Sequence, residues 1–340
     1  MATSGAKLSV LIVGCGNIAG GFDLNRAAGD LPLTHAGAYC RHGGFALIAC
    51  VEPDAARRAA FMTAWSVSIG FASLEEAVAA DIRCDVVSIC SPTACHTDDL
   101  AQVLEMRPRL VFCEKPVTPT VAQTAALVAR CDELGIPLAI NHNRRWDPAL
   151  VMLRGELQAG RRGALRSVTG FYNKGILNNG SHMFDLLHYL LGDLAVVAVG
   201  RPVQDYPADD PTFPIWLSAA GDVPVFIACG DARDYALFEL QLVFSGGIVS
   251  IEDGGQRWRE RRAEESTVFK GYRMLDAGRF LPGADDASML AAIDNIHRHL
   301  YHGDTVACTG HTALAAQRLC EQARNMALLQ QSSEPTMGTT

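Results

Sequence analysis

The stretch Gly14-Cys15-Gly16-Asn17-Ile18-Ala19 follows the apolar run from Leu8 to Val13 directly and fits G-x-G-x-x-G/A, with alanine last. The first glycine permits a tight turn. The second lets the backbone approach a pyrophosphate, whose charge then sits at a helix N-terminus. Gly14, Gly16, Asn17 and Ile18 are therefore candidate dinucleotide contacts. Glu52 ends a second apolar run, Phe45 to Val51. A carboxylate there accepts hydrogen bonds from both ribose hydroxyls of NAD and repels the 2′-phosphate of NADP. NAD is the expected cofactor, and Arg57 and Arg58 leave NADP open. The spacing from Gly16 to Glu52 exceeds the usual ~20 residues. The extra material, residues 22–34, is expected beside the cofactor as a lid or a decorated loop.

Other chemistries find less support. The histidines of His297-Arg298-His299-Leu300-Tyr301-His302 lack the i, i+4 spacing of a helical metal pair, so a solvated helix end and no metal are expected. The 11 cysteines include no Cys-x-x-Cys pair, and several sit inside apolar runs. They read as small buried hydrophobes in a reducing compartment. With 29 basic against 37 acidic residues and no basic stripe, nucleic-acid binding is not expected. The basic run Arg257 to Arg262 is broken by Trp258 and Glu260 and reads as a solvated strand or loop. No apolar run nears the ~20 residues of a membrane span. The start, MATSGAK, lacks the features of a secretory signal, so a cytoplasmic protein is expected.

These residues need elements to position them. A hydrophobic content of 49% supplies packed cores, and 340 residues suggest about two domains. Apolar runs at 8–13, 45–51, 85–90, 109–113 and 137–141 alternate with helical patterns at 54–65, 73–80, 96–105 and 119–134. Strands apolar on both faces and separated by helices predict a doubly wound parallel sheet. After about residue 142 the pattern changes. A helix at 147–158 precedes strand candidates at 164–172, 223–229 and 236–244, and Ser245-Gly246-Gly247 signals a hairpin. Helices return at 285–302 and 309–330. Residues 204–215, rich in Pro and Asp, read as a surface loop. The fold class is α/β: an N-terminal Rossmann sheet plus a C-terminal α+β domain with an open-faced, mainly antiparallel sheet. The expected domains are 1–120 for dinucleotide binding, with its elements running to about 141, and 121–330 for substrate binding and oligomerisation. Residues 331–340 form a frayed tail.

Four further motifs occur in order: Ser91-Pro92-Thr93 with His96, Glu114-Lys115-Pro116, Asn141 to Trp146, and Asn178 to Asp185 opening the helix FDLLHYLLG. With the glycine turn, this set resembles the glucose–fructose oxidoreductase / inositol dehydrogenase (Gfo/Idh/MocA) family over residues 8–250. The resemblance implies reversible hydride transfer between nicotinamide and a carbinol of a sugar, nucleotide-sugar or cyclitol. It places Ser91, Pro92, Thr93, His96, Glu114 and Lys115 at the cofactor. Lys115 matches the family's lysine beside the nicotinamide and the reacting oxygen, where an ammonium polarises that oxygen. His182 matches the family's histidine, and imidazole can take or give the hydroxyl proton near neutrality.

This chain departs from the pattern four residues before His182, where many family members carry aspartate and this one has Asn178. An amide orients a hydroxyl but is no base, which leaves His182 or Lys115 as proton carrier. Asp185 either orients His182 or caps the helix. Arg144, Arg145 and Trp146 lie where the family places junction residues, set either for an anionic substrate or for packing. Tyr172 and Lys174 lie on a strand leading toward the site, as substrate contacts or as a solvated strand. A homodimer or homotetramer through the C-terminal sheet is expected, because the Leu and Phe set of 237–244 would otherwise be exposed. Two rival functions remain: reduction of a C=N bond or another carbonyl, and non-catalytic dinucleotide binding.

Overall fold

Six short strands, rich in apolar residues, build one parallel sheet: β1 (Leu8–Val13), β2 (Phe45–Val51), β3 (Ile69–Phe71), β4 (Val86–Ile89), β5 (Leu110–Cys113) and β6 (Leu138–Ile140). Their order is β3-β2-β1-β4-β5-β6, the doubly wound arrangement. β4 and β5 are buried along their whole length, as central strands covered on both faces must be. The connecting helices are α1 (His35–His42), α2 (Ala55–Trp65), α3 (Leu74–Ala79), α4 (His96–Glu105) and α5 (Val121–Leu134). Thr34, Asp54, Ser73 and Thr120 cap α1, α2, α3 and α5, each side chain accepting a backbone N–H of the first turn. The computed structural model describes residues 6–27, 29–205 and 209–333.

The remaining elements are α6 (Pro148–Gln158), β7 (Leu165–Tyr172), α7 (Ser181–Leu191), β8 (Leu194–Val199), β9 (Ile215–Ala219), β10 (Val223–Cys229), β11 (Phe238–Phe244), β12 (Gly247–Glu252), β13 (Arg257–Glu265), β14 (Arg273–Leu275), β15 (Arg279–Pro282), α8 (Ser288–His302) and α9 (Gly310–Ser333). β7 to β15 form a second sheet, ordered β14-β13-β12-β11-β7-β10-β9-β8 with β15 on β13. Every pair is antiparallel except β7 with β10. The chain divides into two units, Met1–Pro148 with Asp286–Leu314, and Ala149–Asp285 with Ala315–Thr340. Among the described residues no helix is long and apolar enough to cross a membrane.

Several expectations need correction. β3 was not anticipated, because three residues at a sheet edge carry too little periodicity. α8, expected in the second domain, belongs to the first unit. Its Ile293 and Ile296 enter that core, and Asn295 Oδ1 accepts the Trp146 indole N–H at 2.9 Å. The first three residues of the expected tail continue α9, and its remainder, from 334, lies outside the described residues. The Leu and Phe set of β11 is not exposed: Phe238, Leu240, Leu242 and Phe244 all enter the second unit's core. The opposite face carries the exposed aromatics Phe171 (38%) and Trp216 (44%), with the Trp216 and Phe226 rings 4.9 Å apart. In the basic run, Trp258 and Glu260 are buried while their neighbours alternate outward along β13.

Tyr172 is also corrected. It is fully buried, and its hydroxyl donates to the Phe213 carbonyl (2.9 Å) and accepts the Phe213 N–H (3.0 Å). It fastens β7 to the segment before β9 and has no hydroxyl capacity left over for a substrate. Tyr172→Phe leaves both Phe213 groups unsatisfied in the core and should lower stability by about 1–3 kcal/mol. Urea unfolding measures this, and an unchanged midpoint would count against the fastening role.

Candidate active site

The parallel register brings Val51, Val13, Ile89, Cys113 and Ile140 into one row across β2, β1, β4, β5 and β6. The next residue of each strand is then Glu52, Gly14, Cys90, Glu114 and Asn141. Their N–H groups continue the ladder: Gly14 to Val51 O, Cys90 to Val13 O, Glu114 to Ile89 O and Asn141 to Cys113 O, all within 2.7–2.9 Å. This edge is the carboxyl end of the sheet, where open α/β folds bind ligands.

Gly14 has φ +83°, and a Cβ on it would lie 2.6 Å from Ser91 N. Only glycine lets this turn press against the end of β4. A Cβ on Gly16 would meet nothing within 4 Å, so this glycine faces open space. Beyond the turn the chain departs from expectation. Helical bonding runs only from Gly16 to about Asp23, and α1 begins at His35. The first N–H groups of α1, those of His35 and Ala36, bond back to the carbonyls of Ile18 and Ala19. No long helix therefore points its N-terminus from the turn. In the intervening insertion, Asp23 accepts the N–H groups of Leu33 and Thr34 and the Thr34 hydroxyl, fastening the loop back on itself.

Glu52 is 4% exposed. Its Oε2 accepts the Cys15 N–H (3.0 Å), its Oε1 accepts the Asp54 N–H (3.1 Å), and the Arg57 guanidinium lies 3.3 Å from Oε1. The carboxylate thus braces the glycine turn from the end of β2. Arg58 donates to the Glu52 carbonyl.

The Glu-Lys-Pro segment follows β5. Glu114 Oε1 lies 2.9 Å from His35 Nε2 and accepts the Asn141 amide at 2.6 Å. His35 Nδ1 reaches Ser88 Oγ (3.3 Å), and Tyr39 Oη meets the same hydroxyl (2.8 Å). Burial pushes the Glu114 carboxyl up, but the His35 hydrogen bond and charge, the Asn141 amide and the Lys115 charge outweigh it and hold the group below its ordinary value. Sequence reasoning missed His35, Tyr39 and Ser88. The available signal was a histidine opening a helical stretch that precedes an apolar strand. His96 is 1% exposed, and its ring bridges the carbonyls of Ser91 and Pro116, 2.9 Å from each. It ties the end of β4 to the segment after Lys115, so its expected cofactor contact is corrected to a strut. Ser91 Oγ donates to Asp99. Pro92 is exposed and Thr93 half-buried at the same sheet end. Trp146, bonded to Asn295 and edge-on to Phe112, is likewise a core strut and not a substrate contact. Arg145 is buried and Arg144 half-buried beside it.

In the second unit a π-helical turn, Gly175–Gly180, leads into α7. Two carboxylates from the Pro- and Asp-rich loop hold it. Asp205 accepts the N–H groups of Lys174 and Ala232, and Asp210 accepts those of Leu177 and Asn178. This loop, expected to be solvated, is pinned by those buried acids; its residues 206–208 lie outside the described residues. Gly175 has φ +79°, and a Cβ there would lie 2.2 Å from Asp210 Oδ2. The Asn178 amide donates to the Lys174 carbonyl (3.3 Å) across the turn. His182 follows in the first turn of α7, half-buried, and Asp185 is buried three residues on. The turn and helix start therefore gather Lys174, Asn178, His182 and Asp185.

The first unit fits a dinucleotide by two observations of its own: the open space over Gly16, and Asn141 Oδ1. That oxygen is buried with no hydrogen-bond partner among the described residues, so it offers an unused acceptor at the carboxyl edge. Residues 8–142 match the family model described as an oxidoreductase family with an NAD-binding Rossmann fold. Inositol 2-dehydrogenase of Rhizobium meliloti (strain 1021) is 26% identical over 244 residues, covering 68% of this chain and 67% of that relative. The WlbA dehydrogenase from Bordetella pertussis, solved with NADH and UDP-GlcNAcA, matches with a TM-score of 0.75 at 19% identity, over 95% of this chain and 97% of that one. A super-repressor mutant of Gal80p from Saccharomyces cerevisiae matches with a TM-score of 0.76 at 16% identity, over 96% and 97%. Structural likeness at these identities defines the fold and leaves activity to the site. Together these findings make the chain similar to the Gfo/Idh/MocA oxidoreductases, with the NAD-binding Rossmann model of that family matched over residues 8–142.

Two measurements test this geometry. Glu52→Ser removes the brace of the turn and the expected ribose acceptor together. NADH affinity should fall about 10–100-fold, the range for hydrogen bonds to a charged group, and the NADH-to-NADPH affinity ratio should move toward NADPH. Fluorescence titration of both cofactors reads this, and an unchanged ratio removes Glu52 from ribose recognition. The second concerns Glu114. Its lowered folded pKa gives stability that is present above the ordinary carboxylate value and is lost as pH falls through the folded value. His35→Gln weakens the group that lowers it while burial remains. Stability at pH 7 should drop by about 1–3 kcal/mol, and acid unfolding should begin at higher pH. Superimposable pH–stability curves would show that His35 does not hold Glu114.

Proposed function

We propose that this oxidoreductase interconverts an alcohol and a ketone on a sugar, nucleotide-sugar or cyclitol, using NAD(H). The observation that carries the reading is the placement of Lys115. It follows a carboxylate anchored by His35 and Asn141, at the same sheet end as the glycine turn. An ammonium so placed stabilises charge on a reacting oxygen.

Gly14, Gly16, Asn17 and Ile18 would hold the pyrophosphate, Glu52 the ribose, and the Ser91–Thr93 segment with Lys115 the nicotinamide end. Bound NAD supplies hydride acceptance and donation at nicotinamide C4. Lys115 stabilises the substrate oxygen as its charge changes. His182 takes the hydroxyl proton on oxidation and returns it on reduction. Asn178 and Lys174 orient the substrate, and Arg144 and Arg145 favour an anionic group on it. The names of an inositol dehydrogenase and of a dehydrogenase solved with a UDP-sugar support a polyhydroxylated substrate. The exposed Phe171 and Trp216 face supports a homodimer or homotetramer, and free cysteines suit a cytoplasmic setting.

Turnover is screened first with NADH and a panel of keto-sugars and keto-inositols. Lys115→Met, which keeps the stem and removes the charge, should lower kcat about 10²–10³-fold with a much smaller change in NADH affinity. Near-intact turnover would take Lys115 out of the mechanism, and NADH binding without turnover on any substrate would favour a non-catalytic role. Asn178→Asp should not raise kcat, because its carboxylate would meet the Lys174 carbonyl where the amide now donates. A rise would mark the site as an incomplete carboxylate–histidine relay.

A further inference from the structure

The edge of the second unit's sheet holds a cleft of about 630 Å³ lined by Arg161, Arg162, Arg261, Arg262, Arg273 and Arg279, with Glu156 and Glu260 as its acids. The pairing of β12 and β13 sets much of its floor. Glu260 lies opposite the buried Val249, Arg262 opposite Gly247, and Arg279 of β15 opposite Glu260, so these side chains share the face of the sheet that carries the core. The end of α6 and the segment after it form one wall through Met152, Glu156, Arg161 and Arg162.

Half of these charges cancel. Arg162 bonds Glu156 and Glu260 at 2.6 Å each, and Arg279 bonds the other oxygen of Glu260 at 2.7 Å. The buried Glu260 carboxylate thus fixes two guanidinium groups in place. Arg261 and Arg273 donate to the carbonyls of Asp276 and Ala263, which satisfies donors without neutralising charge. The Glu265 carboxylate reaches Arg273 only at 3.9 Å, with both side chains more than half exposed. Asp276 Oδ1 is occupied by the backbone N–H groups of Arg262 and Gly278. Arg161 and Arg262 form no ion pair among the described residues. Arg161 and Arg262 therefore bring uncompensated positive charge to one concave surface whose own acids are already paired, with Arg261 and Arg273, which alternate to the other face of the strands, at its margin. Guanidinium forks match tetrahedral oxyanions in bidentate geometry, and the forks of Arg161 and Arg262 are not engaged by an acid among the described residues.

We propose that this cleft binds a small multivalent oxyanion of the phosphate or phosphoester class. The inference is independent of the proposed oxidoreductase chemistry, because its residues all lie in β11 to β15, α6 and their connections. Calorimetric titration of the full chain with inorganic phosphate, pyrophosphate and glucose 6-phosphate tests it, comparing wild type with R161A/R262A. The glycine turn is common to both proteins, so binding there would survive the substitutions. Saturable one-to-one binding is expected at low salt, weakened by added salt and about 100-fold weaker in R161A/R262A, at about tenfold per arginine. A preference for glucose 6-phosphate points to a phosphoester, and a preference for pyrophosphate to a free inorganic anion. R161K/R262K keeps the charge and should retain most of the binding, which separates loss of charge from loss of fold. Absence of saturable binding to the wild type, or equal binding to R161A/R262A, overturns the proposal. So does a change of oligomeric mass in R161E/R262E, which would show that these arginines meet acids of a second copy.

Discussion

A carboxylate withdrawn from water at the end of β5 is the constraint to which much of the first unit answers. Isolated burial of Glu114 would cost several kcal/mol and drive it to its neutral form. Its partners come from distant parts of the chain: His35 from α1, Asn141 from the end of β6, and Lys115 beside it. His35 can reach it only because α1 starts where the 22–34 insertion returns, and Asp23 fastens that return. Ser88 and Tyr39 complete the pocket behind the imidazole. The insertion is therefore an element of the site's support and more than a decorated loop. The chain that positions Lys115 runs from loop to helix to carboxylate to lysine.

The second unit solves a similar problem with backbone donors. A π-helical turn has unusual hydrogen bonding and needs outside partners. Asp205 and Asp210 supply them, and burial pushes Asp210 above its ordinary value despite the Leu177 and Asn178 N–H groups. Gly175 is required twice, by its positive φ and by the nearness of Asp210. In each unit an acid links a candidate catalytic side chain to distant segments: Glu114, beside Lys115, through His35 and Asn141, and Asp205 and Asp210 through the backbone around Lys174 and Asn178. Local chain flexibility is traded for position, as a preorganised site demands.

The sequence made the doubly wound class of the first unit legible, though not its edge strand β3, because central parallel strands are continuous apolar runs separated by helical patterns. It also made the glycine turn, Glu52, Lys115 and His182 legible as motifs. It could not reveal what those motifs lean on. His35 looks like any helix-opening histidine until the fold sets it against Glu114. Trp146 sits within a recognisable motif and Tyr172 on a readable strand, yet their polar atoms are consumed by Asn295 and Phe213. The alternation of β11 was readable, but which face the helices cover was not, so its buried Leu and Phe set was assigned to the open face. Acids in a Pro-rich loop read as solvated because composition alone carries no partner.

The shortened helix after the glycine turn changes how the cofactor's phosphates must be held. A long helix offers the summed dipole of its peptides at its first turn. Here helical bonding lapses near Asp23 and resumes at His35, with the first N–H groups of α1 spent on Ile18 and Ala19. What remains is the turn itself, made of individual N–H groups beside the open space over Gly16. Such a site depends on the turn's shape being fixed by something else. Glu52 does this through the Cys15 N–H. With Glu52 assigned to the ribose as proposed, one carboxylate would serve both the turn and the sugar, and recognition of the sugar and of the phosphates would be mechanically coupled, whereas a continuous helix would let the two vary separately.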